Sequence, residues 1–474
     1  MNSSKVAEVA LPAEPEVLAA GAGNLRSRVL RAGSWVAAGH VASQALRLFS
    51  NLIMTRLLVP EMFGVMALAH ALMVGLHLFT DVGLRQSVVH SHRGDEQPFL
   101  DTVWSVKIVR GSLVCLTALG LAGGFYLLGQ NQWLPADSVY AEPVLPAIIA
   151  ILSFNELISG FEPTKMIVAN RRLVMGRLTL IDVGCQVAGI LFMWGWAVID
   201  RSIWVLVVGS LVTSSLRVIV ANLALPGPAN RWHWDRSAVD EIVRFGKWIV
   251  LSSILGFLAA SGDRLMLGGL ADARLLGLYS IACFMVGALR DAVHKFAGDV
   301  AFPALSEIAR HHPQDLRATY YRLRRPIDIA SLTMTGALLV AGHLIVDVLY
   351  DRRYAGAGHM LEILAVSLFE ARYALALQCF LALGHSRLLA PASALQVFAL
   401  YVLLPAAMLW RGPDAGLWVL GFSSFLALPL IFRFKRRLGL LDPAREALAL
   451  IWLLPGMLLG WLALAVFRVM GWGA

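Results

Sequence analysis

Six residues stand out for the chemistry they could do. Asp263, Arg264, Arg290, Asp291, His294 and Lys295 lie within two long apolar segments over residues 245–299, joined by a short polar turn at 271–275. A charged side chain at the centre of a bilayer costs about 2.5–3.5 kcal/mol on insertion scales. Such residues face a bundle interior or a wet cavity and mark a pathway. A second set lies in the first apolar segment, where His40, Gln44, Arg47, Asn51 and Thr55 recur every three or four residues and so share one helix face. That stripe holds no carboxylate, which points Arg47 toward a cavity rather than an ion pair. His70, His77 and Asp81 repeat the pattern on the next segment, and Ser280, Cys283, Gly287, Arg290, Asp291, His294 and Gly298 form one broad face further on.

Each of these positions also has a plainer reading. Arg290 with Asp291 or His294, and Asp263 with Arg264, could neutralise each other and hold helices together. Glu156, Glu370 and Arg372 are deep enough to belong to a site or to an internal ion pair. Lys107, Arg110, Asp182 and Arg217 lie near segment ends and read as snorkelling or capping residues. Histidines at 40, 70, 77 and 294 are more often hydrogen-bonded packing groups than ligands.

The elements that must position these groups are membrane helices. The chain is 58% hydrophobic and 15% charged, against about 45–50% and 25% in soluble domains. Apolar runs of about 20 residues recur along it, and no alternating pattern suggests a barrel. The fold class is therefore all-α polytopic, with thirteen candidate spans: 34–58, 63–83, 103–129, 143–161, 177–199, 203–224, 243–270, 276–300, 327–349, 358–384, 388–410, 415–433 and 446–468. Pro455 and Gly456 fall inside the thirteenth, which either crosses or breaks there. The net charge of +9 is spread over short loops, which suits membrane orientation and not nucleic acid. With a cytoplasmic N-terminus, the outer loops hold only Arg201, Arg274, Arg352, Arg353, Arg411 and Arg468, and all the other loop cations fall inside. The four cysteines sit in apolar segments and indicate no disulfide framework, and no metal cluster or cofactor motif is present.

Residues 1–33 read as a polar cytoplasmic tail, with residues 25–31 either a short surface helix bearing Arg26, Arg28 and Arg31 or ordinary orientation-setting charge. Residues 34–224 form a first lobe of six spans, 225–242 a cytoplasmic linker rich in Pro and Gly, 243–434 a second lobe of six, and 435–474 an extra C-terminal segment. Laying Trp35 on Trp248 also brings Leu52 onto Leu265, Leu57 onto Leu270, Gly64 onto Gly277 and Ala69 onto Ala282, with no gap. The two lobes read as a duplication, the usual construction of transporters whose site lies between repeats.

The run FGKWIVLSSILGFLAASGDRLMLGGLADARLLGLYSIA at 245–282 resembles the polysaccharide flippases of the multidrug/oligosaccharidyl-lipid/polysaccharide exporter superfamily. So do TRLLVPEMFGVMALA at 55–69, DVGL at 81–84, AFPALSEIAR at 301–310 and LYDRRYAGAGHMLEILA at 349–365. The resemblance implies two pseudo-symmetric six-helix bundles in a V, rocking between inward-open and outward-open states in the inner membrane. It implies a cargo, an oligosaccharide repeat unit on undecaprenyl pyrophosphate, moved to the periplasmic leaflet for polysaccharide assembly. It further implies coupling to H+ or Na+ and pathway partners such as a polymerase and glycosyltransferases. On that reading Arg47, Gln44, Asn51, Arg264, Arg290 and Lys295 hold the anionic cargo, and Asp81, Asp263, Asp291 and Glu156 are the candidate ion carriers. No catalysis is expected. A multidrug exporter on the same fold is the first rival, but its cavity should be dominated by acids. A membrane glycosyltransferase would need larger loops or a catalytic carboxylate constellation, and charged helix interiors argue only weakly against a scaffold that recruits glycosyltransferases.

Overall fold

A computed structural model describes residues 14–469 apart from 92, 173, 386 and 387. Of the expected tail at residues 1–33, residues 1–13 and the side chains of Arg26, Arg28 and Arg31 lie outside the described residues, and residues 14–33 are helical as the start of α1. The described chain is helical throughout, with no strand. Its first half comprises α1 (Glu14–Leu57), α2 (Pro60–Phe79), α3 (Leu84–His90), α4 (Gln97–Gln130), α5 (Leu145–Gly160), α6 (Lys165–Arg171), α7 (Met175–Ile199) and α8 (Trp204–Ala224). The second half comprises α9 (Arg236–Leu270), α10 (Ala273–Phe296), α11 (Phe302–His311), α12 (Leu316–Leu349), α13 (Gly356–Ala365), α14 (Ser367–Ala371), α15 (Ala374–Ala382), α16 (Leu389–Phe398), α17 (Leu404–Arg411), α18 (Pro413–Phe422), α19 (Leu428–Arg437), α20 (Pro443–Ala449) and α21 (Leu453–Val469).

Every expected span is helical. Among the described residues nine helices are long and apolar enough to cross a membrane, and a tenth arises if α5 and α6, bent by 63°, count together. The long helices α1 and α9, which carry polar residues, and the expected span 358–384, which is broken into α13, α14 and α15, fall outside that count. Local chemistry explains several helix starts. Asp235 caps α9 by accepting from Ser237 N at 2.9 Å, and Asp272 caps α10 by accepting from Leu275 N at 2.8 Å. Two π-helical turns, Ala297–Ala301 and Ala399–Leu403, interrupt otherwise regular helices.

The cores show how the two halves meet. At the end of the bundle where α1 and α9 finish, here the distal end, one hydrophobic core contains residues of both halves, among them Leu68, Ile148, Leu267, Leu276, Ile281, Tyr354 and Leu361. At the opposite end, where residues 225–235 run, the cores separate. Val293, Tyr320, Phe380 and Phe434 belong to a second-half cluster, and Met166, Leu178, Ile181 and Ala221 to a first-half cluster. Apart from the first turns of α9, which join the first half through Ala238 and Ile242, the halves are thus fused at one end and parted at the other, a V opening toward the linker end.

Small residues and tyrosines seal the distal end. A Cβ on Gly64 of α2 would lie 1.9 Å from the carbonyl oxygen of Ala273, and one on Gly277 of α10 would lie 1.9 Å from that of Pro60. Only glycine allows this approach. The 3₁₀ turn Val139–Ala141 sends Tyr140 Oη to Leu265 O at 3.1 Å, and the turn Arg352–Tyr354 sends Tyr354 Oη to Leu58 O at 3.0 Å. Each half therefore donates a tyrosine to the end of the other half's first helix.

The linker segment is strapped down. The N–H groups of Arg231, His233 and Asp235 donate to Asp101 Oδ1, Ser105 Oγ and Thr102 Oγ1 at 3.1–3.2 Å, and Arg93 reaches Asp235 at 2.9 Å. Helix α9 begins at Arg236, and Ala238 and Ile242 of its first turns are buried against α3 and α4. The segment at 443–469 continues through Pro455, which stands in the first turn of α21 where its missing N–H costs nothing. Gly456 packs against Thr333 O of α12. Glu446 of α20 is buried among Arg324, Arg372 and Lys435, with Arg324 Nη1 at 2.5 Å.

Candidate functional site

A cavity of about 640 Å³ opens in the linker half of the first lobe. Its walls come from the linker ends of seven elements: His40 and Ser43 from α1, His77 from α2, Lys107 and Arg110 from α4, Ser159 from α5, Asn170 from α6, Thr179 and Asp182 from α7, and Arg217 from α8, with Asp81 and Glu162 from the turns after α2 and α5. From the second lobe comes Lys295, in the last turn of α10 just before the π-helical turn.

Two ion-pair systems line it. In the first, Lys107 Nζ lies 2.5 Å from Glu162 Oε2 while Arg217 Nη1 lies 3.2 Å from Glu162 Oε1, and Arg217 Nε also reaches Asp182 at 2.9 Å. In the second, His77 Nδ1 lies 2.8 Å from Glu156 Oε2, and Arg110 Nη2 lies 2.8 Å from His77 Nε2. Arg110 Nη2 also lies 3.0 Å from His77 Nδ1. Arg110 Nη1 also donates to Asp81 Oδ1 at 3.4 Å. Asp81 at the same time accepts Gly83 N at 3.0 Å, the turn in which Gly83 adopts φ +62° and separates α2 from α3.

The expected site residues are distributed unevenly around this space. Lys295 and Asp81 line the cavity, and Glu156 stands behind it through His77. Arg47 is exposed, and with Lys295 and Asp291 it lies within electrostatic reach of His40, so α1 and α10 face each other across the opening. Gln44 is half-buried one turn before Arg47. Asn51 lies farther along, in the distal seal, where its Oδ1 accepts from Tyr350 Oη at 3.0 Å. Arg264 is half-buried beside Asp263 and within reach of His70 and Asp291, and Arg290 lies within reach of Glu370 and His294. Asp263 accepts from Tyr279 Oη at 2.6 Å through Oδ2, and its Oδ1 has no partner among the described residues. None of Arg47, Arg264, Arg290 and Lys295 has an ion-pair or hydrogen-bond partner among the described residues.

Arg372 is different: it is 1% exposed and bound to Tyr373 and Glu446, part of the clamp on the C-terminal segment. Lys107, Arg110, Asp182 and Arg217, read from sequence as capping or snorkelling groups, instead line the cavity. No single segment carries a stripe of them, because each helix contributes one or two at the same depth. The signal that would have found them is the pairing of opposite charges at equal depth on successive spans.

The family described as "Polysaccharide biosynthesis protein" matches residues 53–358. The chain is 20% identical over 352 residues to the "Lipopolysaccharide biosynthesis protein WzxC" of Escherichia coli (strain K12), covering 72% of this chain and 67% of that protein. It is 20% identical over 349 residues to an "Uncharacterized membrane protein in cps region" of Klebsiella pneumoniae, covering 73% and 69%. Among solved structures it resembles "Lipid II flippase MurJ, inward closed conformation", with a TM-score of 0.64, 12% identity and coverage of 92% and 98%. It also resembles an inward-facing multidrug resistance MATE family transporter, with a TM-score of 0.54, 14% identity and coverage of 85% and 96%. The architecture is the MATE-like all-α fold of a multi-pass membrane protein.

Proposed function

The chain belongs to the polysaccharide biosynthesis protein family, and we propose that within it the protein is a flippase for a lipid-linked oligosaccharide. The repeat unit, carried on undecaprenyl pyrophosphate, enters from the cytoplasmic leaflet of the inner membrane and leaves in the periplasmic leaflet by alternating access. The observation that carries this reading is the cavity at the parted end of the V, with cations from both lobes on its walls. The excess of loop cations on that side supports a cytoplasmic position for that end, with the linker and the N-terminus.

A pyrophosphate group cannot cross hydrocarbon unaided, because stripping its hydration costs many kcal/mol. Arg47, Arg264, Arg290 and Lys295 can replace part of that hydration, with Gln44 offering hydrogen bonds one turn before Arg47 on α1, and arginine forks suit phosphate oxygens. The lipid tail stays in the bilayer while the sugar crosses the polar interior. Outward movement of an anion is favoured by an inside-negative potential, at about 2.3 kcal/mol per charge per 100 mV. Return of the empty carrier is the step at which H+ or Na+ enters. The contacts of Asp81 with Arg110 and of Glu156 with His77 support them as candidate carriers, and Asp263 and Asp291 offer carboxylates on the other lobe. A polymerase and glycosyltransferases of the same pathway are the expected partners. The role is transport, without catalysis.

The test is restoration of surface polysaccharide in cells lacking their own flippase. Arg47→Ala and Arg290→Ala abolish export at normal membrane abundance, and lysine replacements are milder. Normal export from both alanine variants would remove the cationic-cavity reading. Cationic-dye efflux by the wild-type chain would favour the multidrug alternative.

A further inference from the structure

Glu162 stands where helices α5 and α6 meet at 63°, between Phe161 and Pro163. Non-helical backbone at a broken span is where transporters place cargo contacts. Yet the group there is a carboxylate, half-buried in a cavity whose lining sets Lys107, Arg110, Arg217 and Lys295 against Asp81 and Asp182. Its two oxygens are divided between two cations on different helices, Lys107 at 2.5 Å and Arg217 at 3.2 Å. Lys107 also lies 3.4 Å from the Glu162 backbone oxygen.

We propose that Glu162 is a built-in occupant of the anion subsite: in the empty carrier its carboxylate takes the place on Lys107 and Arg217 that the cargo's anionic group takes on entry. The inference rests on the carrier reading above and names the subsite within it. A tethered carboxylate competes at high effective concentration, so a free group displaces it only with more charge and more oxygens. A phosphoryl or pyrophosphoryl group has both, and Arg110 and Lys295 line the same cavity to receive them. A sugar carboxylate, singly charged like Glu162 itself, has no such advantage. Glu162 thereby keeps two cations of the cavity wall neutralised while the carrier is empty, and discriminates against weakly charged anions. Its displacement is also felt at the linker, because Thr164 two residues on is held by Asn230, whose Oδ1 accepts from Thr164 N at 3.0 Å.

The experiment measures binding of inorganic pyrophosphate and of D-glucuronate to the purified full-length chain in detergent, by calorimetry and thermal shift. Glu162→Gln should tighten pyrophosphate binding on the order of tenfold, about 1.4 kcal/mol, and narrow its preference over glucuronate. Adding Lys107→Gln should abolish the gain. Asp182→Asn removes one negative charge from the same cavity and loosens Arg217 alone, leaving Glu162 on both cations, and should give a clearly smaller gain. Should Glu162→Gln not fold, Glu162→Asp, one methylene too short to bridge both cations, should give an intermediate gain. Unchanged or weaker pyrophosphate binding in a folded Glu162 variant, or equal tightening by Asp182→Asn, would overturn the proposal. Transport is read separately in vesicles, so a chain that shows the binding gain but flips nothing fails as a flippase while keeping this subsite.

Discussion

Gly64 and Gly277 stand backbone to backbone across the two lobes, each against the helix start of the other. A Cβ on either would collide with a carbonyl oxygen at 1.9 Å, Ala273 O in one case and Pro60 O in the other. The contacts are reciprocal: the pairing that lays Gly64 on Gly277 also lays Pro60 on Ala273. A pseudo-twofold axis therefore passes between α2 and α10, and the place where it does is the closed end of the V.

Substituting either glycine tests that contact. Gly64→Ala and Gly277→Ala should each destabilise the closed distal end by about 1–3 kcal/mol, as overpacking does, because backbone cannot move aside as a side chain can. A lowered melting temperature in detergent, with raised reactivity of a cysteine placed on the distal faces of α2 or α10, is the expected result.

The tyrosine seal should be weaker and graded. Tyr140→Phe and Tyr354→Phe each remove one hydrogen bond to the opposite lobe, worth about 0.5–1.5 kcal/mol, and leave the ring packing intact. Each should shift the population modestly toward a distal-open state, and the double variant more than either alone. Distance distributions between spin labels across the distal end would read the shift.

The buried clamp on the C-terminal segment should be far less tolerant. Glu446 bonds Arg324 at 2.5 and 2.8 Å, reaches Arg372 at 3.3 Å and also holds Lys435. Glu446→Gln leaves three buried cations facing Asp328 alone. Breaking such a network costs about 3–5 kcal/mol, so the variant should lose most of its monodisperse yield. Arg317, exposed on Asp442 at 3.2 Å, offers a control: Arg317→Ala should be nearly neutral.

The strap between the lobes carries a pH signature. Arg93, bonded to the carboxylate, together with Ser237 holds Asp235 down at about 2. The folded value is depressed, so the contact's stabilisation is fully present above about pH 4 and is lost as pH falls from there toward 2. Amide-exchange protection of Arg231, His233 and Asp235, corrected for intrinsic rate, should be flat from pH 8 to 5. Arg93→Ala should lower it at neutral pH, less so at high salt because the pair is exposed.

Much of this architecture is legible in the chain because membrane helices declare themselves one segment at a time. The stripe from His40 to Thr55 and the breadth of polar face on α10 follow from periodicity within one helix. What periodicity cannot show is depth matching between helices. Lys107, Glu162, Asp182 and Arg217 meet only when four spans are assembled, and Asn51 leaves the stripe's common environment because α1 runs from cavity to seal. Likewise nothing in residues 443–469 alone reveals that Glu446 anchors them, since its partners come from α12, α19 and the turn after α14.

The central claim is that an anion rides in the linker-end cavity, and it is tested most directly by flipping in reconstituted vesicles. Vesicles holding the wild-type chain would be given a fluorescent oligosaccharide on a short prenyl pyrophosphate and, separately, the same oligosaccharide on a neutral prenyl ether. The account predicts transfer of the pyrophosphate-linked compound, inhibition by inorganic pyrophosphate on the entry side, and loss of transfer with Arg47→Ala or Arg290→Ala. Equal transfer of the neutral compound, untouched by those substitutions, would contradict it.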